Sequence, residues 1–442
     1  MARVNVFARW RPLSGSEAGR GEIGREAHQH TGSLLSVSVN QQPLTKGSPW
    51  TSPAAFNNIF EPEDDNYAVY TAVVAPHIPR VLRGENCTFF AYGHSGSGKT
   101  HTILGYEFED PRQLGMCLGA ARQIFDGLQS LDREFMGQTL GIGFSLFELR
   151  RKAAFDLLNN HTQCHIREGP DGQVHVRGET EILDGGKVRV RPIVQRVCWD
   201  FGVFREKLIQ AVEQRATGSS SIHDQSSRTH AILQLEVVSQ ALIDARFELL
   251  DRQSELVPVG KRATDISIEE ESRGAIRTPD GRWVPNPNYQ KDQARIDAIE
   301  AEKAQFEARV ADAERKIGSV LESSESPALG AKLVFVDLAG AEYYEENGTR
   351  PLSKSRTSQE LQESRQINSD LLALKEVMRA WSQGRKRIPF RASTLTMVLR
   401  EHFTARNRGA STIITTISPA LDQYVATLNS LKYASLVGAA DV

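Results

Sequence analysis

The chain has 442 residues, 40% hydrophobic and 24% charged, with 53 basic against 55 acidic side chains and a formal net charge of −2. That is globular composition with length for a large core, and it excludes binding of a polyanion through bulk positive charge, so any acidic partner must meet a local patch. Four scattered cysteines (Cys87, Cys117, Cys164, Cys198) form no Cys-x-x-Cys pair and no apolar run reaches membrane-spanning length, so reduced core thiols in a soluble intracellular protein with no membrane partner are expected.

Val4 to Trp10 alternates as a strand that Arg11-Pro12 ends. Gly15 to Gly32, polar and glycine-rich, is expected as loop, Leu34 to Val39 as a short strand, and Pro43 to Pro53 as loop. Tyr70, Val73, Val74, Ile78, Val81 and Leu82 have helical spacing, although Pro76 and Pro79 oppose one continuous helix.

After a turn at Gly84, the apolar run Cys87 to Tyr92 reads as a buried strand and leads into Gly93–Thr100, a Gly-x-x-x-x-Gly-Lys-Thr. Strand, glycine-rich loop and helix in that order form a phosphate-binding loop. Its glycines let successive N–H groups turn inward on an anion, and the following helix adds the positive end of its dipole. The candidate nucleotide contacts are Gly93, His94, Ser95, Gly96, Ser97, Gly98, Lys99, Thr100 and His101. Lys99 would reach the β- and γ-phosphates, and the Thr100 hydroxyl would sit on Mg²⁺.

Gly115 to Leu131 is an amphipathic helix; Thr139 to Leu149 and Val174 to Val176 are strands, with a hairpin signal at Asp171-Gly172. Val188 to Val197 reads as a strand interrupted by Pro192, and Asp200 as the cap of a helix from Phe201 to Gln214. Ala231 to Val238 and Lys332 to Val336 are further strands. Alternating strands and helices favour a layered α/β fold.

Residues 239–330 break this rhythm with a charged insert whose centre is rich in Pro and Gly. In its second half Ile296, Ile299, Phe306, Val310, Ala313, Ile317 and Val320 fall at heptad-like spacing, interrupted by Lys303. Two readings stand: an amphipathic helix lying on its own domain and paired with Ala241 to Leu256, or a coiled coil for oligomerisation or partner binding.

A triphosphate site needs a carboxylate near Mg²⁺ and groups that sense the γ-phosphate. Asp337 closes an apolar strand and suits the first role through water, although an Asp at a strand end is also common for structural reasons. The glycine in Leu338-Ala339-Gly340 lets an N–H approach the γ-phosphate. Asp224 to His230 supplies clustered hydroxyls and Arg228.

In order, Gly93–Thr102, Ser-Ser-Arg-Thr-His (Ser226–His230) and Asp-Leu-Ala-Gly-Ala-Glu (Asp337–Glu342) resemble the P-loop, switch I and switch II of kinesin motor domains. The resemblance covers nearly the whole chain. Arg9-x-Arg11-Pro12 is similar to the family's adenine-cradling segment, and Phe147-Glu148 with Phe155–Leu158 to a family strand and turn. Ile367–Leu374 looks like the start of the switch II helix, Ile388–Thr396 like the loop and helix after it, and Ile417-Ser418-Pro419 with Thr427–Ala434 like the last core strand and helix.

The resemblance implies a P-loop NTPase of kinesin type: one motor domain over residues 1–442 with the insert at about 239–330, and a mixed, mostly parallel central sheet with helices on both faces. It also implies ATP and Mg²⁺, with Thr100, Ser227 and Asp337 (via water) at the metal, and Arg9, Arg11 and Pro12 at the nucleotide. Ser226 would contact the γ-phosphate or the attacking water, and Gly340 would sense the γ-phosphate. Arg228 and Glu342 would form the ion pair that joins the switches.

The implied partner is the microtubule, met by Lys375, Arg379, Arg385, Lys386, Arg387 and Arg391, with Arg350, Lys354, Arg356, Arg365 and Arg400 nearby. Apart from the resemblance, the run Gly384–Arg387 also reads as a solvated charge run or a nucleic-acid patch; tubulin is the expectation, with no nucleic acid. The implied activity is microtubule-stimulated ATP hydrolysis driving movement, in the cytoplasm on the cytoskeleton, with a spindle location open. Leu371–Glu376 and Pro389–Arg400 look most like the microtubule-depolymerising kinesins, whose Lys-Val-Asp loop tip is missing from Asn40–Ser52.

The chain departs from the pattern at His223, where the family usually has Asn, and at Ala341, in place of Ser or Asn. It also has Glu85 where an aromatic often follows Gly84, and Leu149-Arg150-Arg151-Lys152 for Ile-Tyr-Asn-Gly. These leave a depolymerase and a slow-turnover microtubule-binding scaffold as alternatives. Val442 follows soon after the last motif, with no heptads of a neck between.

Overall fold

In the computed structural model, which describes residues 4–17, 19–30, 32–41, 48–106, 108–134, 139–169, 172–217, 228–341, 358–403 and 409–439, the run Cys87–Tyr92 is buried at every residue. A strand covered on both faces requires such a run. The strands are β1 (Val4–Trp10), β2 (Gly24–Gln29), β3 (Leu35–Asn40), β4 (Trp50–Thr51), β5 (Asn58–Phe60), β6 (Cys87–Tyr92), β7 (Leu140–Arg150), β8 (Ala153–Asp156) and β9 (Thr162–Glu168). They continue as β10 (Val174–Ile182), β11 (Val188–Pro192), β12 (Arg196–Cys198), β13 (His230–Ser239), β14 (Ala275–Arg277), β15 (Trp283–Pro285), β16 (Lys332–Asp337) and β17 (Ala410–Ile417). Two units emerge: residues 1–176, 193–237 and 326–442 form one, and 177–192 with 238–325 the other.

In the first unit the sheet runs β9-β8-β7-β13-β16-β6-β17-β1-β5, with β12 beside β7. Its centre is parallel: β16, β6, β17, β1 and β5 pair in one direction. Side chains alternate between two faces. Phe90, Tyr92, Val334 and Val336 share a core with Leu371, Leu374, Leu431 and Tyr433 from the helices Ser358–Ser382 and Tyr424–Gly438. One residue out of step, Phe89 and Phe335 stack at 5.5 Å on the other face.

Two features of topology place the site. The parallel strands put Arg11, Gly93, Asp337 and the end of β17 at one sheet edge, where ligands of open α/β sheets bind. Strand β13 runs antiparallel to β16, with Ala231 opposite Asp337, so Arg228–His230 arrive at that same edge.

The structure corrects several expectations. Gly24–Gln29 is a strand rather than loop, pairing along its length with β3, and Trp50–Thr51 adds a short third strand inside the expected 43–53 loop. β2 carries almost only polar side chains, half of them exposed and none buried, so it lacks an apolar signal. The 67–82 segment splits into the helix Asn66–Val73, a 3-10 turn at Ala75–His77 and a short helix Ile78–Val81, as Pro76 and Pro79 require. The expected strand 188–197 separates into β11 and β12 after Pro192. Asp200 does cap the helix Phe201–Thr217, accepting from the Val203 N–H at 2.9 Å. All four cysteines are free and buried, and among the described residues no helix is long and apolar enough to cross a membrane.

In the second unit, helix Gln240–Arg273 packs against helix Gln293–Glu322, and the β14–β15 hairpin lies between them in sequence. At 34 residues the first helix spans about 51 Å, well past the expected Leu256 and through Pro258. Of the seven seam residues of the second helix, Ile299 and Ala313 are buried and the other five are half-buried. Lys303 is accommodated by ion pairs with Glu300 and Glu307.

At the hairpin junction the buried Glu270 carboxylate accepts from Tyr289 Oη (2.6 Å), Asp292 N (3.0 Å) and Arg295 Nη1 (3.1 Å). The Tyr289 bond, then that from Asp292, holds it below the usual carboxylate range. This anchor is therefore in force above that range and is lost as pH falls through the lowered value. Glu270→Gln is expected to speed limited proteolysis within residues 274–292 at neutral pH, with cleavage elsewhere unchanged.

Candidate nucleotide site

The loop after β6 has the backbone that its glycines permit. Gly93, Gly96 and Gly98 have φ of 154°, 75° and 100°. A Cβ on Gly93 would lie 2.3 Å from the Thr416 carbonyl oxygen of β17, so only glycine fits there. Ser97 Oγ and Thr416 Oγ1, 2.8 Å apart, tie the loop to β17 from inside. Gly98 is the N-cap of the helix Lys99–Ile103, which points its N-terminus into the loop.

Lys99 is buried, and its Nζ donates to the carbonyls of His94 (2.8 Å) and Gly93 (3.2 Å). Burial pulls its pKa down to about 8, partly opposed by Asp337. Thr100 Oγ1 donates to Asp337 Oδ2 at 2.7 Å. That bond uses the hydroxyl proton and leaves its lone pairs for a cation beside the carboxylate. Acidic and hydroxyl oxygens at a helix N-terminus, next to one buried ammonium, suit Mg²⁺ and a polyphosphate.

The strand-end segment after β16 runs along this loop. Leu338 N donates to Ala91 O (3.2 Å), and Ala341 N to Gly93 O (3.1 Å). Gly340 sits so close that a Cβ there would lie 2.7 Å from Ser95 N. His94 is buried beside Ala341, and its Nδ1 lies 2.8 Å from the Ser95 carbonyl oxygen. Burial takes its pKa down to about 4.

Arg9, Arg11 and Pro12 follow β1 to the same edge. The buried Arg9 guanidinium donates to Asn66 Oδ1 (2.6 Å) and Thr102 Oγ1 (2.8 Å), bracing the P-loop helix from beneath; burial lowers its pKa to about 10. Arg11 Nε donates to the Gly96 carbonyl (2.8 Å) while its other nitrogens grip Glu17, which that bond holds at about 2. Pro12 is exposed at the strand end. His101 is half-buried, its ring 5.9 Å from Tyr106, and burial takes it to about 4. Glu85 pairs with Arg80 at 2.6 Å.

Ser226, Ser227, His223 and Glu342 lie outside the described residues, as do Arg350, Lys354 and Arg356. Arg228 lies 3.9 Å from Glu363, a buried carboxylate that also takes Arg150 (2.8 Å) and Arg151 (3.2 Å). Thr229 Oγ1 donates to Glu148 at 2.9 Å. Sequence reasoning missed Glu363; the paired arginines at 150 and 151 were its one visible trace.

Lys375 and Arg379 lie on the helix Ser358–Ser382, and Arg385, Lys386 and Arg387 are exposed in the loop that follows it. Arg365, Leu372 and Arg379 stand one heptad apart on the exposed face, where Leu372 is 55% exposed. Arg391 differs: it pairs with Glu168 (2.8 Å), as does Arg400 (3.0 Å), so part of its charge is met within the chain.

The family model described as kinesin motor domain matches residues 9–257 and 310–439. Kinesin-like protein KIN-13A of Oryza sativa subsp. japonica is 26% identical over 439 residues, covering 99% of this chain and 41% of that protein. Kinesin-like protein Klp61F of Drosophila melanogaster is 26% identical over 445 residues, 98% of this chain and 31% of that protein. The chain thus spans less than half of either. The motor domain structure of the Kar3-like kinesin from Ashbya gossypii superposes with a TM-score of 0.59 at 19% identity, covering 98% of this chain and 99% of that one. With the family model matched on both sides of a gap at 258–309, the chain belongs to the kinesin motor domain family.

Proposed function

We propose that this chain is one motor domain with an inserted helical arm, and that it hydrolyses MgATP in a microtubule-stimulated cycle that produces force or movement along microtubules. The observation that supports this is the meeting, at one sheet edge, of the Gly93–Gly98 loop, buried Lys99, the Thr100–Asp337 pair and Gly340 against Ser95. Thr100, Ser227 and, through water, Asp337 would hold Mg²⁺, which neutralises phosphate charge. Ser226 orients the γ-phosphate or the attacking water, and Gly340 presents its N–H. Catalysis is then mostly positioning and charge neutralisation for in-line attack by water. Arg228, 3.9 Å from Glu363, would exchange that carboxylate for Glu342 when both switches close on the γ-phosphate.

Steady-state ATPase with and without microtubules is the test. Turnover that microtubules leave unchanged would instead favour the slow scaffold suggested by His223 and Ala341. End depolymerisation is a second reading, motivated by Leu371–Glu376 and Pro389–Arg400; shrinkage of stabilised microtubules without gliding would select it.

The acidic tubulin surface would meet the exposed cations of the helix Ser358–Ser382 and its following loop. Replacing Arg385, Lys386 and Arg387 together by Ala is expected to raise the microtubule concentration for half-maximal stimulation about tenfold at low salt and to flatten its salt dependence. Arg391→Ala alone, already paired with Glu168, should do less. Co-sedimentation across a salt series checks both.

A further inference from the structure

His230 opens β13 and is buried. Its Nδ1 accepts the Ala339 N–H at 3.0 Å, so the ring is neutral with its proton on Nε2. Burial holds its pKa near 3. Among the described residues Nε2 has no hydrogen-bond partner; it lies 3.9 Å from Oδ2 of Asp370 on the helix Ser358–Ser382. A movement of about 1 Å would close that gap to a hydrogen bond. Asp370 is buried as well. It is faced by His230 from β13, by Gln366 of its own helix (3.0 Å) and by the Ser393 hydroxyl. On the C-terminal helix, Tyr433 Oη donates to the carbonyl of the neighbouring Leu371. Lys99 is a cation whose charge acts on His230.

We propose that His230 and Asp370 are positioning residues of the hydrolysis site. Asp370 holds the proton on Nε2 of His230, and Nδ1 thereby fixes the Ala339 peptide and the Gly340 N–H that follows it. This rests on the function proposed above. The pair links the helix that carries Lys375 and Arg379 to the γ-phosphate contact through one imidazole. Protonated Asp370 would donate to Nε2 and push the ring proton to Nδ1, where it meets the Ala339 N–H head-on. Burial raises the Asp370 pKa to about 6, which places that conflict just below neutral pH.

The test is kcat, KM for ATP and the pH profile of the microtubule-stimulated ATPase in wild type, Asp370→Leu and Asp370→Asn, with thermal melting as a folding control. Asp370→Leu is expected to lower kcat about tenfold, with KM for ATP within about twofold. Asp370→Asn keeps an acceptor and should retain kcat at pH 7.5, yet lose an acid limb near pH 6 that wild type shows. Wild-type kcat in a folded Leu variant overturns the proposal, and so does a limb that is missing from wild type or that survives in the Asn variant. If the Leu variant does not fold, the Asn profile decides. A wild-type chain that turns over no ATP brings down the underlying function instead, so the two failures are distinct.

Discussion

Lys99→Ala is expected to lower kcat of the proposed ATP hydrolysis by about 10³-fold or more, equivalent to roughly 4 kcal/mol of transition-state stabilisation. Lys99 is the one cation buried within the loop, already held by two loop carbonyls that face the same centre. Its removal would take away the charge proposed to face the transferring phosphoryl group. The same burial predicts an unusual stability signature. A lysine whose pKa falls from 10.5 to about 8 on folding disfavours the fold below pH 8, and this penalty fades as pH rises from about 8 to 10.5. Lys99→Met should therefore melt no lower than wild type at pH 7. Added ATP and Mg²⁺ should raise the melting temperature of wild type only. A variant that melts early would assign Lys99 a structural role instead.

Gly340→Ala is the second large effect. The new Cβ would lie 2.7 Å from Ser95 N and 2.8 Å from Ser95 Cα, both backbone atoms. The loop has little room to yield, because Gly93 is already pressed on the Thr416 carbonyl. The strand-end segment must therefore shift away from the loop. If Gly340 contacts phosphate as proposed, misplacing it by about 1 Å costs on the order of 10²-fold in kcat. Single-turnover hydrolysis, with nucleotide binding followed separately, should show binding changed less than the chemical step.

The P-loop was legible because its requirements are contiguous: one strand, one loop and one helix within sixteen residues of sequence, Cys87 to Thr102. Arg9 was legible as a site residue but not in its role. Its partners Asn66 and Thr102 lie 57 and 93 positions away, and no local pattern announces them. Glu363 and Asp370 escaped for the same reason, since Arg150, Arg151, Arg228 and His230, which meet them, lie far earlier in the sequence. β2 was lost because its pairing is a backbone matter and its side chains are almost all polar. In the insert, spacing revealed the seam of the second helix, whereas the length of the first was masked by Pro258 and its mostly polar surface.

The order β6-β17-β1 has a consequence for synthesis. Val4 pairs with Ser411 and Cys87 with Ala410, so the two strands that flank β17 wait for a segment made much later than either. At about 5–20 residues per second that wait lasts tens of seconds. Until then β1 and β6 carry unpaired edges of the kind that recruit other chains. A nascent chain stalled before Ala410 is thus predicted to be a client for chaperones and to aggregate, although Gly93–Thr100 and Asp337 have already been made.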